Sequence, residues 1–309
     1  MKIYKLFIVM QVILLASLFN ACSKDEKESE PENLPATVYP VNVALSIDWA
    51  SVVEQNPERI TVCLYNQNDN LISGFVTNDI NNSNFTLPEG HYRVIVFNGD
   101  IDSFQDIAFE NIENFEAFKC KSRSYAHCQD SVYHPYDSLF VAVDSFDIEA
   151  ATAAETTFQK TITPQLLQTM LHIRLHINNL RRLESVIGFS ISGMADGCSM
   201  AHTWRNDSEC TYYVEAPQYN VTDDWLEMDI PVWGFPNGKE RAEWRNPENN
   251  ILKIILANNF IGGWRTNELN VGQLFTYHEP QAMINKISLE DLRRHIYLEI
   301  SEGIDYLLW

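Results

Sequence analysis

Phe85-Thr86-Leu87-Pro88-Glu89-Gly90-His91-Tyr92-Arg93-Val94-Ile95-Val96-Phe97-Asn98 is the stretch that decides the fold. Pro88 presets φ and Gly90 tolerates the unusual backbone angles of a tight reversal, so the chain turns there. The run that follows, Tyr92 to Phe97, is apolar on both faces instead of on one. A strand of that kind is covered twice, which predicts a central strand of a β-sandwich.

Outward from it the chain continues to read as sheet. Before it, Val41, Val43, Leu45, Ile47 and Trp49 alternate with smaller or polar residues, the period-2 pattern of a half-buried strand. Ile60 to Tyr65 and Leu71 to Val76 flank the turn-forming Asn66-Gln67-Asn68-Asp69-Asn70 and predict a hairpin. Phe115 to Lys119 and Leu139 to Phe146 predict further strands. In the second half Leu171, Ile173, Leu175 and Ile177 alternate with His172, Arg174 and His176. Ser185 to Ile191, Thr211 to Glu215, Ile251 to Ala257 and His295 to Ile300 follow suit. Ser288 to Arg294 carries the signals of a short capped helix, and Thr152 to Pro164 reads as the domain boundary, with a local helix over Ala-rich Glu149–Glu155 as the alternative there. The expectation is an all-β chain of two tandem immunoglobulin- or transthyretin-like sandwiches, residues 38–158 and 159–309.

The N-terminus has a different logic. Lys2 and Lys5 precede an apolar run from Leu6 to Leu18, and small Ala21 stands directly before Cys22. This is the layout of a secretory signal over residues 1–21, and the run falls short of the roughly 20 residues that span a bilayer. Leu18-x-x-Ala21-Cys22 resembles the bacterial lipobox, which implies acylation of Cys22 after cleavage. Several acyl chains on one cysteine anchor a protein stably where a single chain does not. Residues 22–37 are charged and poor in apolar groups, so they form an acidic, disordered tether. Within it Ser23-Lys24-Asp25-Glu26 resembles the surface-export signal of lipoproteins in Gram-negative gut and oral bacteria. The expected location is the outer membrane, lipid-anchored and facing outward.

The 22 basic side chains less Lys2 and Lys5 leave 20 against 42 acidic ones, a mature net charge near −22. That balance opposes nucleic acid and anionic lipid. Cys63, Cys120, Cys128, Cys198 and Cys210 remain after Cys22. Cys120–Cys128 and Cys198–Cys210 close the shortest loops, but spacing alone does not fix a pairing, and an odd count leaves one thiol over. Cys63 reads as a small buried apolar residue. No CxxC pair is present, so a thiolate zinc site is not expected.

Ile60–Asn70, Phe85–Asp100, His134–Val143 and Ile162–Gly197 together resemble, in order and spacing, a fimbrillin-like family of Gram-negative surface lipoproteins that includes subunits and anchors of fimbriae. The resemblance implies two tandem sandwiches and a structural or adhesive role as a fimbrial component, anchor or accessory protein. It implies partners among fimbrial subunits or other surface proteins, and no cofactor. In fimbrial relatives a protease cuts after an arginine between the first two strands, and a neighbour's strand fills the groove left behind. Arg59 is the only arginine between Val41–Trp49 and Ile60–Tyr65, and an ordinary strand-start residue is the simpler reading of it.

Catalytic constellations are absent from the sequence. His172 and His176 sit four apart on a strand, which separates them by about 13 Å and argues against one shared ion. His278-Glu279-Pro280 breaks the HExxH pattern, and Gly188-Phe189-Ser190-Ile191-Ser192 has a serine where the nucleophile elbow needs glycine. No catalytic, cofactor or metal residue is assigned and an enzyme is not expected. The alternative function is glycan binding through second-domain aromatics, with Trp233 and Trp244 in loop-like segments as the contacts.

Overall fold

The computed structural model describes residues 39–50, 52, 56–124, 131–133, 137–151, 156–178, 183–237, 247–258, 263–278 and 294–305. Among them are strands and short 3-10 turns but no α-helix. The first strands are β1 (Val41–Ile47), β2 (Ile60–Asn66), β3 (Leu71–Thr77), β4 (Asn82–Leu87) and β5 (Gly90–Asn98). Then come β6 (Ile107–Glu110), β7 (Lys119–Ser122), β8 (Ser131–Tyr133), β9 (Phe140–Ile148), β10 (Thr157–Ile162) and β11 (Gln165–Leu166). The later strands are β12 (Thr169–Asn178), β13 (Leu183–Ala195), β14 (Gly197–Ser199), β15 (Glu209–Glu215) and β16 (Asn220–Thr222). The last are β17 (Trp225–Val232), β18 (Ile251–Asn258), β19 (Gly263–Asn270), β20 (Phe275–His278) and β21 (Arg294–Asp305).

The first sandwich packs the sheet β10-β1-β4 on the sheet β11-β9-β5-β2-β3. Its interior is the inward row of β1 (Val41, Val43, Leu45, Ile47) against Val62, Leu64, Val94, Val96 and Ala142. Trp49 closes one end, its indole N–H donating to the Ile80 carbonyl at 2.8 Å. β10 joins β1 in parallel and β11 joins β9 antiparallel, so the chain through Leu166 still serves this sandwich. The second sandwich packs β16-β17-β12-β21-β20 on β19-β18-β13-β15-β8.

β5 lies between β2 and β9, and both of its faces are buried. The reason is a double cover. Val94 and Val96 face the sandwich interior, while Ile95 and Phe97 face the excursion between β5 and β9. That excursion carries Phe104, Ile107, Phe115 and Phe118 onto the open side of the sheet and merges there with the core of the second sandwich. The turn into β5 is closed by the Tyr92 hydroxyl, which donates to the Pro88 carbonyl at 3.1 Å. The Asn66–Asn70 turn is held by Asn66 Oδ1, which accepts from the Asn68 and Asn70 N–H groups.

Phe115 to Lys119 is not a strand. Phe115 and Phe118 lie in a turn, and the strand β7 begins only at Lys119. Both rings are buried anchors for the excursion, and burial of two aromatics three residues apart does not require an extended chain. Of the expected helix at Ser288–Arg294, residues 288–293 lie outside the described residues and Arg294 opens the strand β21.

Candidate functional site

Two places hold most of the polar chemistry: the outward face of the β12 sheet and the seam between the sandwiches. β12 is the middle strand of its sheet, paired antiparallel with β17 and parallel with β21. Its alternation puts Leu171, Ile173, Leu175 and Ile177 inward and leaves His172, Arg174 and His176 outward. Register then supplies their partners in rows, as cross-strand neighbours stand within reach of each other. In the first row His172 lies between Asp229 and Tyr297, in the second Arg174 lies between Glu227 and Glu299, and in the third His176 faces Trp225.

Every charged group in these rows is matched. Asp229 Oδ1 is 2.7 Å from His172 Nδ1, and His172 Nε2 is 2.7 Å from His295 Nδ1. The His172 ring stacks on Tyr297 with centroids 4.7 Å apart. Arg174 donates to Glu227 and Glu299, each at 3.1 Å, and its guanidinium lies over the Trp225 ring at 4.1 Å. The segment Pro217–Asn220 walls one side and makes an open groove of about 780 Å³ over these rows. The two histidines that spacing brought into question stand in the first and third rows, four residues apart on the same face.

The hydrogen bond from His172 holds the Asp229 carboxyl below its usual range, against an opposing effect of partial burial and with help from the positive charge of His172 and His295. A carboxyl whose native pKa is depressed adds stability above its unfolded pKa and loses it as the pH falls through the native one. Asp229→Asn is therefore expected to cost no more than about 1 kcal/mol at neutral pH, because the pair is solvent-screened. The cost should vanish as the pH drops below about 4, towards and through the depressed native value. Urea unfolding of both proteins across that window measures the convergence.

The seam is the small sheet β14-β7-β6, in which a strand of the excursion pairs with a strand of the second sandwich. Cys198 stands opposite Cys120. The N–H of Met200 donates to the Phe118 carbonyl and that of Ser122 to the Asp196 carbonyl, so the cysteines occupy a wide, hydrogen-bonded site. There the β-carbons stand further apart than the roughly 3.5–4.5 Å a disulfide takes up. Cys63, Cys120, Cys198 and Cys210 are thiols, and Cys128 lies outside the described residues. Burial pushes Cys63 and Cys210 each up to about 12 and Cys120 well above its ordinary value. A protonated, buried thiol is no nucleophile at neutral pH. Arg205, buried beside the pair, donates to Cys198 Sγ at 3.3 Å.

Trp233 also belongs to the seam. It is 0% exposed, and its indole N–H donates to Ser122 Oγ on β7 at 3.0 Å. An exposed sugar contact at this position is thereby corrected: Trp233-Gly234-Phe235-Pro236 does leave the strand, but the excursion lies over it. Trp244, Cys22 and Ser23, Lys24, Asp25 and Glu26 lie outside the described residues. Arg59 is exposed directly before β2, where its carbonyl accepts the Gly99 N–H at 2.8 Å. Ser192, in the elbow-like stretch, sits within β13 and bonds to the backbone of Asn249 and Ile251. Residue identity marked β12's polar face, but no local signal could supply its partners, which lie 53 to 125 residues away.

Two β-sandwiches welded through a shared excursion define an all-β double-sandwich protein. The family described as Domain of unknown function (DUF5119) matches residues 35–215, more than half of the chain, and the protein belongs to it. It is 26% identical over 236 residues to a Bacteroides ovatus protein provisionally named fimbrium anchoring subunit Fim4B, covering 72% of this chain and 69% of that one. A crystal structure from Bacteroides ovatus, provisionally described as an adhesin, superposes with a TM-score of 0.60 at 17% identity, over 93% of this chain and 97% of that one. A second adhesin structure so described, also from Bacteroides ovatus, gives 0.51 at 10% identity over 90% and 89%.

Proposed function

We propose that the protein is a non-enzymatic, lipid-anchored component of the cell surface with a structural or adhesive role in fimbriae, as an anchor or accessory subunit. The observation that carries this reading is the correspondence with an adhesin fold over 93% of the chain, together with the fimbrium-anchoring name of its relative. Acyl chains on Cys22 hold it in the outer membrane, Ser23-Lys24-Asp25-Glu26 directs it outward, and residues 22–37 give the sandwiches reach. Its partners are fimbrial subunits or other surface proteins.

The state of β1 supports retention of the N-terminal strand. β1 is hydrogen-bonded on both sides, and its inward row forms much of the first core. A chain cut after Arg59 would lose that row, whereas an anchor keeps it. Cys22→Ser is expected to move the protein from the outer-membrane fraction to the soluble fraction. The wild type should be shaved by protease from intact cells, with an intact mass that retains residues 22–59 and the acyl chains. Membrane retention of Cys22→Ser, or a surface form that starts at Ile60, contradicts this reading.

A further inference from the structure

Trp204 is 61% exposed, yet it is fixed in place. It stands on the turn after β14. The Ser199 N–H donates to the Trp204 carbonyl at 2.8 Å, the Thr203 N–H to the Ser199 carbonyl at 2.9 Å, and the Asn206 N–H to the Gly197 carbonyl at 3.0 Å. Met200 and Ala201 are buried and pin the turn to the core. Thr203 has φ 57°, the left-handed region that a β-branched residue rarely enters. Such strain costs about 1–3 kcal/mol and persists where surroundings impose it, often at sites of function. Here it accompanies an indole left in water.

The indole has one covered face. His202 stacks on it with centroids 4.8 Å apart and planes 23° apart. His202 is itself clamped: Nε2 lies 2.6 Å from Glu116 Oε2, and the ring meets Phe115 edge-on at 6.4 Å. Arg93 caps Phe115 at 5.0 Å and bonds to Glu116 and Asp69. The plate behind Trp204 is thus a rigid chain of five side chains drawn from both sandwiches.

We propose that the open face of Trp204 is a subsite for one pyranose ring of an uncharged glycan. An indole face is electron-rich and matches the polarised C–H face of a sugar in charge and in size. Beside it stands the His202 imidazole, with the Glu116 carboxylate bonded to that ring, both hydrogen-bonding groups suited to hydroxyls. Arg93 is already paired with Asp69 and Glu116, so an anionic ligand meets acid, not a spare cation. The other aromatics are less suited. Tyr297 is stacked by His172 and Trp225 is covered by Arg174. Trp264, 70% exposed, lies on the edge strand β19 with no ring stacked behind it among the described residues.

The test is a fluorescence and calorimetric titration of the full mature chain in detergent with neutral gluco-, manno-, xylo- and galacto-oligosaccharides, beside uronic-acid and sialylated ones. Saturable binding of at least one neutral oligosaccharide is expected. Trp204→Ala should weaken it at least about tenfold, with the melting temperature unchanged, and Trp264→Ala should leave it intact. Glu116→Gln should weaken it in part. Absence of binding to every neutral glycan, binding that survives Trp204→Ala, or a preference for acidic sugars overturns the proposal. So does loss of fimbrial-protein association in Trp204→Ala without any sugar binding, which would make the ring a protein contact. None of these outcomes touches the anchor reading, which rests on Cys22 and fractionation.

Discussion

Trp233→Ala is expected to destabilise the protein by about 3–5 kcal/mol, the range found when a fully buried large aromatic is removed from a core. Trp233 is among the largest side chains with no exposure. Two losses combine in its removal. The first is packing, as the indole belongs to the larger core. The second is polar. The indole N–H satisfies Ser122 Oγ at 3.0 Å, and Ser122 is itself buried on β7. Ser122 keeps its hydrogen bond with the Tyr212 hydroxyl, so the loss is one hydrogen bond, about 0.5–1.5 kcal/mol of the total. Trp233→Phe separates the terms, because it keeps much of the volume and breaks only the hydrogen bond. It should cost distinctly less than the alanine variant. Urea unfolding followed by circular dichroism measures both. A Trp233→Ala protein as stable as wild type would return Trp233 to the surface and undo the description of the seam.

The sandwich core was legible in the sequence where burial is local and periodic. β1 and β12 bury one face each, so period 2 located both. β5 buries both faces, and a continuous apolar run reported that. What covers β5's second face was not legible, because the excursion's contribution depends on Phe104, Ile107, Phe115 and Phe118 folding back from turns and short strands. Hydrophobic spacing there mimics a strand at Phe115–Lys119 without being one. The seam was illegible for a stronger reason: Cys120 and Cys198 lie 78 residues apart, and β7 and β14 are too short to announce themselves. The same cause misplaced Trp233. Gly234 and Pro236 signal correctly that the strand ends, but chain direction is local information and burial is not. Trp204 went unmarked because a tryptophan in a polar turn, His202-Thr203-Trp204-Arg205, reads alike whether its ring is buried or presented.

Gly197→Ala is expected to open the seam. Gly197 lies opposite Lys121, and a β-carbon built there would stand 2.0 Å from the Cys120 carbonyl oxygen and 2.7 Å from the Lys121 α-carbon. Both obstacles are backbone, so no side chain can swing aside. Relief requires β14 to part from β7, and the cost is expected to reach or exceed about 3 kcal/mol, the upper part of the overpacking range. The separation has its own readout. Cys120 and Cys198 are fully buried in the intact seam, so iodoacetamide should label them under native conditions in the variant and not in wild type. Gly74→Ala on the edge strand β3 is the control: its new methyl meets only the flexible Leu71 side chain at 3.5 Å, and stability should stay within about 0.5 kcal/mol. The seam also decides how the molecule unfolds. With β7 paired to β14, one core runs from Cys63 and Phe97 in the first sandwich to Ile300 in the second, and the two should melt in one transition. In Gly197→Ala the β7–β14 link of that continuity is cut while β8 stays paired with β15, and calorimetry should resolve two transitions. A single transition, with both thiols still protected, would mean that apolar packing and the β8–β15 pairing unite the sandwiches and that the β7–β14 pairing is incidental to them.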